Sequence, residues 1–208
     1  MDVFTACFET LRPRASDEQY QQTNQNKPTM QKPLFKTHAF ISLGANLNSS
    51  IGTPAQTLEK AISLLKAFSP EPLLVSSLWA TKPIDCPPGS PDYVNAVVGL
   101  LPEKTETPLS LLKRLQSIEN NIGRTRSGLI NEARVLDLDL LSFKEENSAT
   151  EELMLPHPRA TQRKFVLEPL RELVGNAAFP GQSIFIDDLL GVLDDQSIPG
   201  IVTLISQQ

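Results

Sequence analysis

Between Arg134 and Leu141 the chain reads Arg-Val-Leu-Asp-Leu-Asp-Leu-Leu, so leucine and aspartate alternate with a period of two. An extended strand sends successive side chains to opposite faces. Leu136, Leu138 and Leu140 therefore share a face that needs a core, while Asp137 and Asp139 project together from the other. Two carboxylates this close repel each other. A hard divalent cation that bridges both of them to phosphate oxygens would neutralise the pair. A solvated face on an antiparallel sheet fits the same alternation without any ligand.

The rest of the chain supplies the partners such a strand requires. His38 to Leu43 is a short apolar run ended by Gly44-Ala-Asn46, which reads as a buried strand leaving into a loop. Thr53-Pro54 supplies a helix cap and a proline at the first helical position. Ala55, Leu58, Ala61, Ile62, Leu65 and Phe68 follow at helical spacing, so the sequence predicts a helix over 54–68. Leu73–Thr81 is expected as a second strand, and Lys82–Pro91, with four prolines and a glycine, as a loop. Tyr93–Leu101 is the third strand, with Val94, Ala96, Val98 and Leu100 on one face. Thr107-Pro108 caps a second helix running to about Asn121, Gly123–Ala133 is polar and loop-like, and Val135–Phe143 is the fourth strand. The order βαββαβ specifies an α+β fold with a ferredoxin-like core, its helices on one face of an antiparallel sheet. C-terminal additions follow: a helix over Thr161–Val174 with Pro169 marking a break or kink, and a short helix over Ile184–Leu193.

Residues 1–36 are set apart by composition. From Ser16 to Lys36 the chain is Gln, Asn, Thr, Lys and Pro with almost no aliphatic residues, so burial cannot offset the entropy of ordering it. A disordered extension over 1–36, with Met30 as an alternative start, and one domain over 37–208 are expected. The N-terminus carries Asp2, Glu9, Asp17 and Glu18 and lacks the basic and apolar regions of a signal peptide. No apolar run approaches the roughly 18 to 20 residues that span a bilayer. Cys7 and Cys86 lack metal-ligand spacing, and no disulfide framework is expected. A cytoplasmic protein with no membrane partner is the expectation.

The 208 residues carry a net charge of −5, which argues against a nucleic-acid partner. Residues 1–36 hold five basic and four acidic residues, leaving 14 basic against 20 acidic in the remainder. On that acidic body the chain concentrates Arg124, Arg126, Arg134, Arg159, Arg163 and Lys164. The planar donor fork of arginine matches phosphate, and several forks converging suggest a polyphosphate ligand, although a solvated loop is the alternative. His157, between Pro156 and Pro158, could donate one ring N–H to a phosphate. The chain contains neither G-x-x-x-x-G-K-[ST] nor G-x-G-x-x-G, so a phosphate site here does not use a glycine-rich loop.

Ser42-Leu-Gly-Ala-Asn46, Pro91-Asp-Tyr-Val-Asn-Ala96, Glu119-Asn-Asn-Ile-Gly-Arg124, Arg134-Val-Leu-Asp-Leu-Asp139 and Leu155-Pro-His157 follow one another in a way that resembles the 6-hydroxymethyl-7,8-dihydropterin pyrophosphokinases. The resemblance covers roughly 38–180. It implies an enzyme of folate synthesis that moves the diphosphate of ATP onto a pterin hydroxymethyl group and releases AMP. Its partners would be small molecules, and the protein a monomer or weak homodimer. Asp137 and Asp139 resemble the pair that holds two Mg²⁺ ions. Arg124 and Arg134 match the arginines on the transferred phosphates. Gln116, Glu119, Arg126, His157 and Arg163 fall where the family contacts ATP. Tyr93 and Phe165 resemble the aromatics that sandwich the pterin, with Asn95 and backbone groups near Thr81 and Ile84 on its edge. Asn131-Glu132-Ala133 departs from the Trp-Gly-Pro or Ala-Pro common in relatives, and Lys82 replaces a common proline. A non-catalytic ligand-binding module on the same fold is the competing expectation.

Overall fold

The computed structural model describes residues 34–83, 86–123 and 132–193, together with the backbone of a strand at 201–202. The elements are β1 (Ala39–Ala45), α1 (Pro54–Leu65), β2 (Leu74–Val75), β3 (Leu78–Thr81), β4 (Tyr93–Leu100), α2 (Pro108–Ile122), β5 (Asp137–Phe143), β6 (Ser148–Ala149), β7 (Met154–Leu155), α3 (Lys164–Val174), α4 (Ile186–Val192) and β8 (Ile201–Val202). Among them the main sheet has the order β5-β1-β4-β3-β8, with β2 also on β4, and every pairing is antiparallel. This is the expected α+β, ferredoxin-like arrangement.

Both early helices start where the sequence places their caps. Thr53 Oγ1 accepts the Gln56 N–H while Gln56 Oε1 accepts the Thr53 N–H, and Thr107 and Ser110 repeat the exchange at α2. Helix α2 stops at Gly123, whose φ of +102° lies in the left-handed region that glycine tolerates. Leu58, Ala61 and Leu65 of α1 and Leu111, Leu115 and Ile118 of α2 pack against Ile41, Leu43, Ala96, Val98, Leu138 and Leu140. Leu138 and Leu140 lie on the face that the period-two reading assigned to the core, and Ala96 and Val98 share one face as that reading expected.

The opposite face carries a second core. Phe40, Val97 and Leu141 meet Val166, Leu167 and Leu170 of α3, together with Phe179 and Ile186. Strand β1 lies between the two cores and is buried along all seven residues. Leu141 continues the Asp137 and Asp139 face into the second core. A register shift between Phe40 and Ile41 then breaks the alternation, so that Phe143, of the same parity, joins the first core. Helices thus clad both faces: α1 and α2 on one, the C-terminal α3 and α4 on the other.

Several expectations need correction. The single strand over Leu73–Thr81 is broken at Ser76–Ser77. There Ser76 Oγ accepts the Val97 N–H at 2.9 Å, and Glu172 of α3 accepts the Ser77 N–H at 2.7 Å. The other carboxylate oxygen of Glu172 accepts the Trp79 indole N–H at 2.8 Å, so α3 is tied to β3 by one side chain. The helix expected from Thr161 begins at Lys164, after a separate 3-10 turn over Ala160–Gln162. It runs unbroken through the buried Pro169 at its middle, whose missing N–H removes one helical bond. Within the segment expected as an extension, Leu34–Lys36 form a 3-10 turn, and residues 1–33 lie outside the described residues. Phe35 is buried there, with its ring 5.0 Å from that of Phe40 and 5.7 Å from that of Phe179. The β6–β7 hairpin and the edge strand β8 were not anticipated as separate strands. Among the described residues no helix is long and apolar enough to cross a membrane.

Candidate active site

Helix α3 covers only part of its face of the sheet. Where it stops, the C-terminal end of β1 and the N-terminal ends of β4 and β5 form the floor of a cleft of about 220 Å³. The register places Asn95, Gly44 and Asp137 in one row across three strands, with Ser42 and Asp139 paired two residues further in. Gly44 is what makes this row a cleft. A Cβ at that position would lie 3.0 Å from Asn95 Oδ1 and would occupy the space between the β4 and β5 side chains.

One wall is made by Thr81, Tyr93 and Asn95 of β3 and β4, and the other by Arg134, Asp137 and Asp139 in and just before β5. Arg159, Gln162, Arg163 and Phe165 are added by the C-terminal segment, with the Arg163 guanidinium 5.4 Å from the centre of the Phe165 ring. The first wall carries no charged side chain. Asn95 is buried and donates Nδ2–H to Thr81 Oγ1 at 2.6 Å. Burial pushes the Tyr93 hydroxyl up to about 12, aided by the Cys86 thiol, whose sulfur lies 3.9 Å away. Tyr93 is therefore protonated at neutral pH.

The second wall is charged and internally paired. Arg134 Nη1 meets Asp137 Oδ2 at 2.7 Å, and Arg163 Nη1 lies 3.9 Å from Asp139 Oδ2. Burial works against the Arg134 cation, but Asp137, Tyr93 and Asp139 outweigh it and hold its pKa above the ordinary value. Arg163 is displaced the other way, by burial first and then by the neighbouring Arg159. Burial, reinforced by Arg163 and Arg159, lowers His157 to about 4, so its ring is neutral at physiological pH. Its Nδ1 accepts the Arg159 N–H at 3.2 Å, which leaves the proton on Nε2.

The donor set bears on the metal. Among the described residues no three His, Cys, Asp or Glu side chains gather as a metal cage. Asp137 and Asp139 alone present hard oxygens side by side on β5. That suits Mg²⁺, which keeps several waters and binds through one or two carboxylates plus substrate phosphates.

Of the residues expected from sequence, Thr81, Tyr93, Asn95, Arg134, Asp137, Asp139, Arg163 and Phe165 line one cleft. Gln116 is exposed on α2. Glu119 is buried behind β5, where its carboxylate accepts the Leu138 N–H at 2.7 Å, between the two aspartates. Neither it nor His157 lines the cleft. Ile84, Arg124 and Arg126, and Asn131 of the variant loop, lie outside the described residues. Ser42, Lys82, Cys86 and Gln162 also line the cleft without having been assigned a role. Ser42 was accessible from the parity it shares with Gly44. Gln162 sits in a 3-10 turn and leaves no periodic trace.

Residues 40–175 match the family of 7,8-dihydro-6-hydroxymethylpterin-pyrophosphokinase (HPPK). The 2-amino-4-hydroxy-6-hydroxymethyldihydropteridine pyrophosphokinase of Haemophilus influenzae is 39% identical over 150 residues, covering 72% of this chain and 89% of that protein. The enzyme of the same name from Bacillus subtilis is 39% identical over 137 residues, covering 65% of this chain and 77% of that protein. The crystal structure of Plasmodium falciparum HPPK-DHPS with pteroate has the same fold, with a TM-score of 0.57 at 15% identity. This match covers 74% of the present chain but 44% of the Plasmodium one. The matched span holds the whole cleft, and the chain belongs to the 7,8-dihydro-6-hydroxymethylpterin-pyrophosphokinase family.

Proposed function

We infer that this chain is an ATP-dependent diphosphotransferase of folate biosynthesis, acting on 6-hydroxymethyl-7,8-dihydropterin. The observation that carries the residue-level reading is the division of one cleft into an aromatic wall and a charged wall, with glycine between them. The pterin ring sits between Tyr93 and Phe165, where two aromatic faces favour offset stacking on a flat heterocycle. With Nδ2 turned to Thr81, Asn95 presents Oδ1 above Gly44 as an acceptor for a ring N–H. The neutral Tyr93 adds no charge that would repel the incoming polyphosphate.

ATP extends along the charged wall. Asp137 and Asp139 are the residues that hold Mg²⁺, two ions in this proposal, which would supply positive charge against the phosphate oxygens. Arg134 and Arg163, now facing the aspartates, swing to phosphate oxygens when nucleotide enters, joined by Arg124 and Arg126. His157 offers Nε2–H as an uncharged donor, and Gln116 contacts the nucleotide from α2. Glu119 acts through β5, fixing the amide between the two aspartates. In the reaction, the pterin hydroxyl oxygen bonds to the β-phosphorus and the bond from that phosphorus to the α-phosphate oxygen breaks. AMP leaves with the electron pair, and the hydroxyl proton passes to water. Catalysis is then alignment plus charge stabilisation of the kind that governs phosphoryl transfer.

The test is the product. Protein supplied with Mg²⁺, ATP and the hydroxymethyl-dihydropterin should form AMP and pterin diphosphate in equal amounts. Formation of ADP would replace this reading with that of an ordinary kinase.

A further inference from the structure

Tyr93 and Asn95 stand on β4 and Asp137 and Asp139 on β5, with β1 between them, so the segments that lead into these two strands must be held at a fixed distance. Asn46 is placed to do this. It lies just past β1, is only 3% exposed and does not line the cleft. Its carboxamide bonds to both walls at once: Oδ1 accepts the Arg134 N–H at 2.8 Å, and Nδ2 donates to the Pro91 carbonyl at 3.2 Å. The backbone N–H groups of Asn46 and Leu47 both donate to the Arg134 carbonyl, at 3.0 and 3.2 Å. Pro91 lies two residues before Tyr93, and Arg134 three before Asp137, with which its guanidinium pairs. One amide side chain thus clasps the segments that lead into β4 and into β5.

We propose that Asn46 is a positioning residue that sets the separation between the pterin wall and the phosphate wall, and hence the approach of the pterin hydroxyl to the β-phosphorus. The site selects this side chain chemically. It needs an acceptor and a donor side by side, and of the residues of this size only asparagine carries both. Aspartate keeps the acceptor for Arg134 but turns a second acceptor against the Pro91 carbonyl. Leucine fills the volume and makes neither bond. Each wall remains intact in either variant, because Thr81–Asn95 and Arg134–Asp137 do not pass through Asn46. Binding of each substrate alone should survive, and the step that needs both walls in register should suffer.

This inference rests on the diphosphotransferase reading, and the two fail differently. If the wild-type protein forms no AMP, that reading falls. If it does, Asn46→Asp and Asn46→Leu are compared with it by steady-state kinetics and by calorimetric titration of pterin and of an unreactive MgATP analogue separately. Misalignment on the ångström scale predicts a kcat loss of about tenfold or more, with each separate Kd within about threefold of wild type. A smaller loss, or Kd values that rise in step with it, overturns the positioning role, since loss of fold would weaken binding and turnover together. A measurement on the unaltered protein stands beside the variants. The Arg134 amide, held by a buried side chain rather than by a strand, should exchange its hydrogen at least about tenfold more slowly than an open amide. Exchange at the open rate overturns the clasp even if no variant folds.

Discussion

At the scale of single residues, each aspartate on β5 already faces a cation. Arg134 serves Asp137 at 2.7 Å, and Arg163 stands 3.9 Å from Asp139. Their charges are thus partly balanced before substrate arrives, and the fold need not depend on a bound metal. Asp137→Ala and Asp139→Ala should therefore stay folded yet lose turnover by far more than tenfold, because each removes half of the carboxylate pair that β5 presents to the cleft. A variant that keeps more than about a tenth of the wild-type rate would have lost less than about 1.4 kcal/mol of transition-state stabilisation, too little for a metal ligand. The rate of AMP release and a circular dichroism spectrum decide the matter together. These two residues were also the most legible in the sequence. The strand period fixes their shared face from residue type alone, and no tertiary contact is needed to infer it. Phe165 could be assigned only through the resemblance, whereas Arg163 also stood out among the arginines concentrated on an acidic chain. Their arrival at the cleft depends on how the C-terminal segment packs over Phe40 and Val97, which no local pattern records.

Among the elements, β1 has the most exacting position, since both of its faces and both of its edges are occupied. At its end Gly44 leaves room between Asn95 and Asp137. Gly44→Val should fill that floor and displace the Asn95 carboxamide, raising the KM for pterin by tenfold or more. Stability should change much less, because the backbone at Gly44 is not among the glycines with left-handed φ. Pterin titration and a thermal melt on the same sample separate the two effects. A KM within about twofold of wild type would move the ring elsewhere, since even one crowded contact costs more than that. Helices α1 and α2 and strands β4 and β5 could be read in advance because each carries its own cap or its own apolar period. The gap between β2 and β3 could not. Ladder bonds there are replaced by a serine hydroxyl and by a glutamate 95 residues downstream. The hairpin β6–β7 pairs only two residues on each side, fewer than any period needs to show itself.

In the molecule as a whole, the two cores divide the labour. The first, beneath α1 and α2, holds the sheet. The second, beneath α3, brings Phe165 to the cleft and is tied to β3 by Glu172. That tie has an optical consequence. The chain contains a single tryptophan, Trp79, whose indole is pinned by Glu172 and which pairs directly with Asn95 across the sheet. Directly opposed residues on antiparallel strands have their Cβ atoms about 5 Å apart, so the only strong intrinsic fluorophore stands one strand from the proposed pterin ring. Its emission should be quenched as pterin binds and should remain unmoved by nucleotide alone, which occupies the far wall. Trp79→Phe should erase the signal without erasing turnover. Equal quenching by both ligands would show that the two walls respond as one body. Either way, filling of the cleft can be followed in real time in the unlabelled protein, with all of the tryptophan emission assigned to one known side chain.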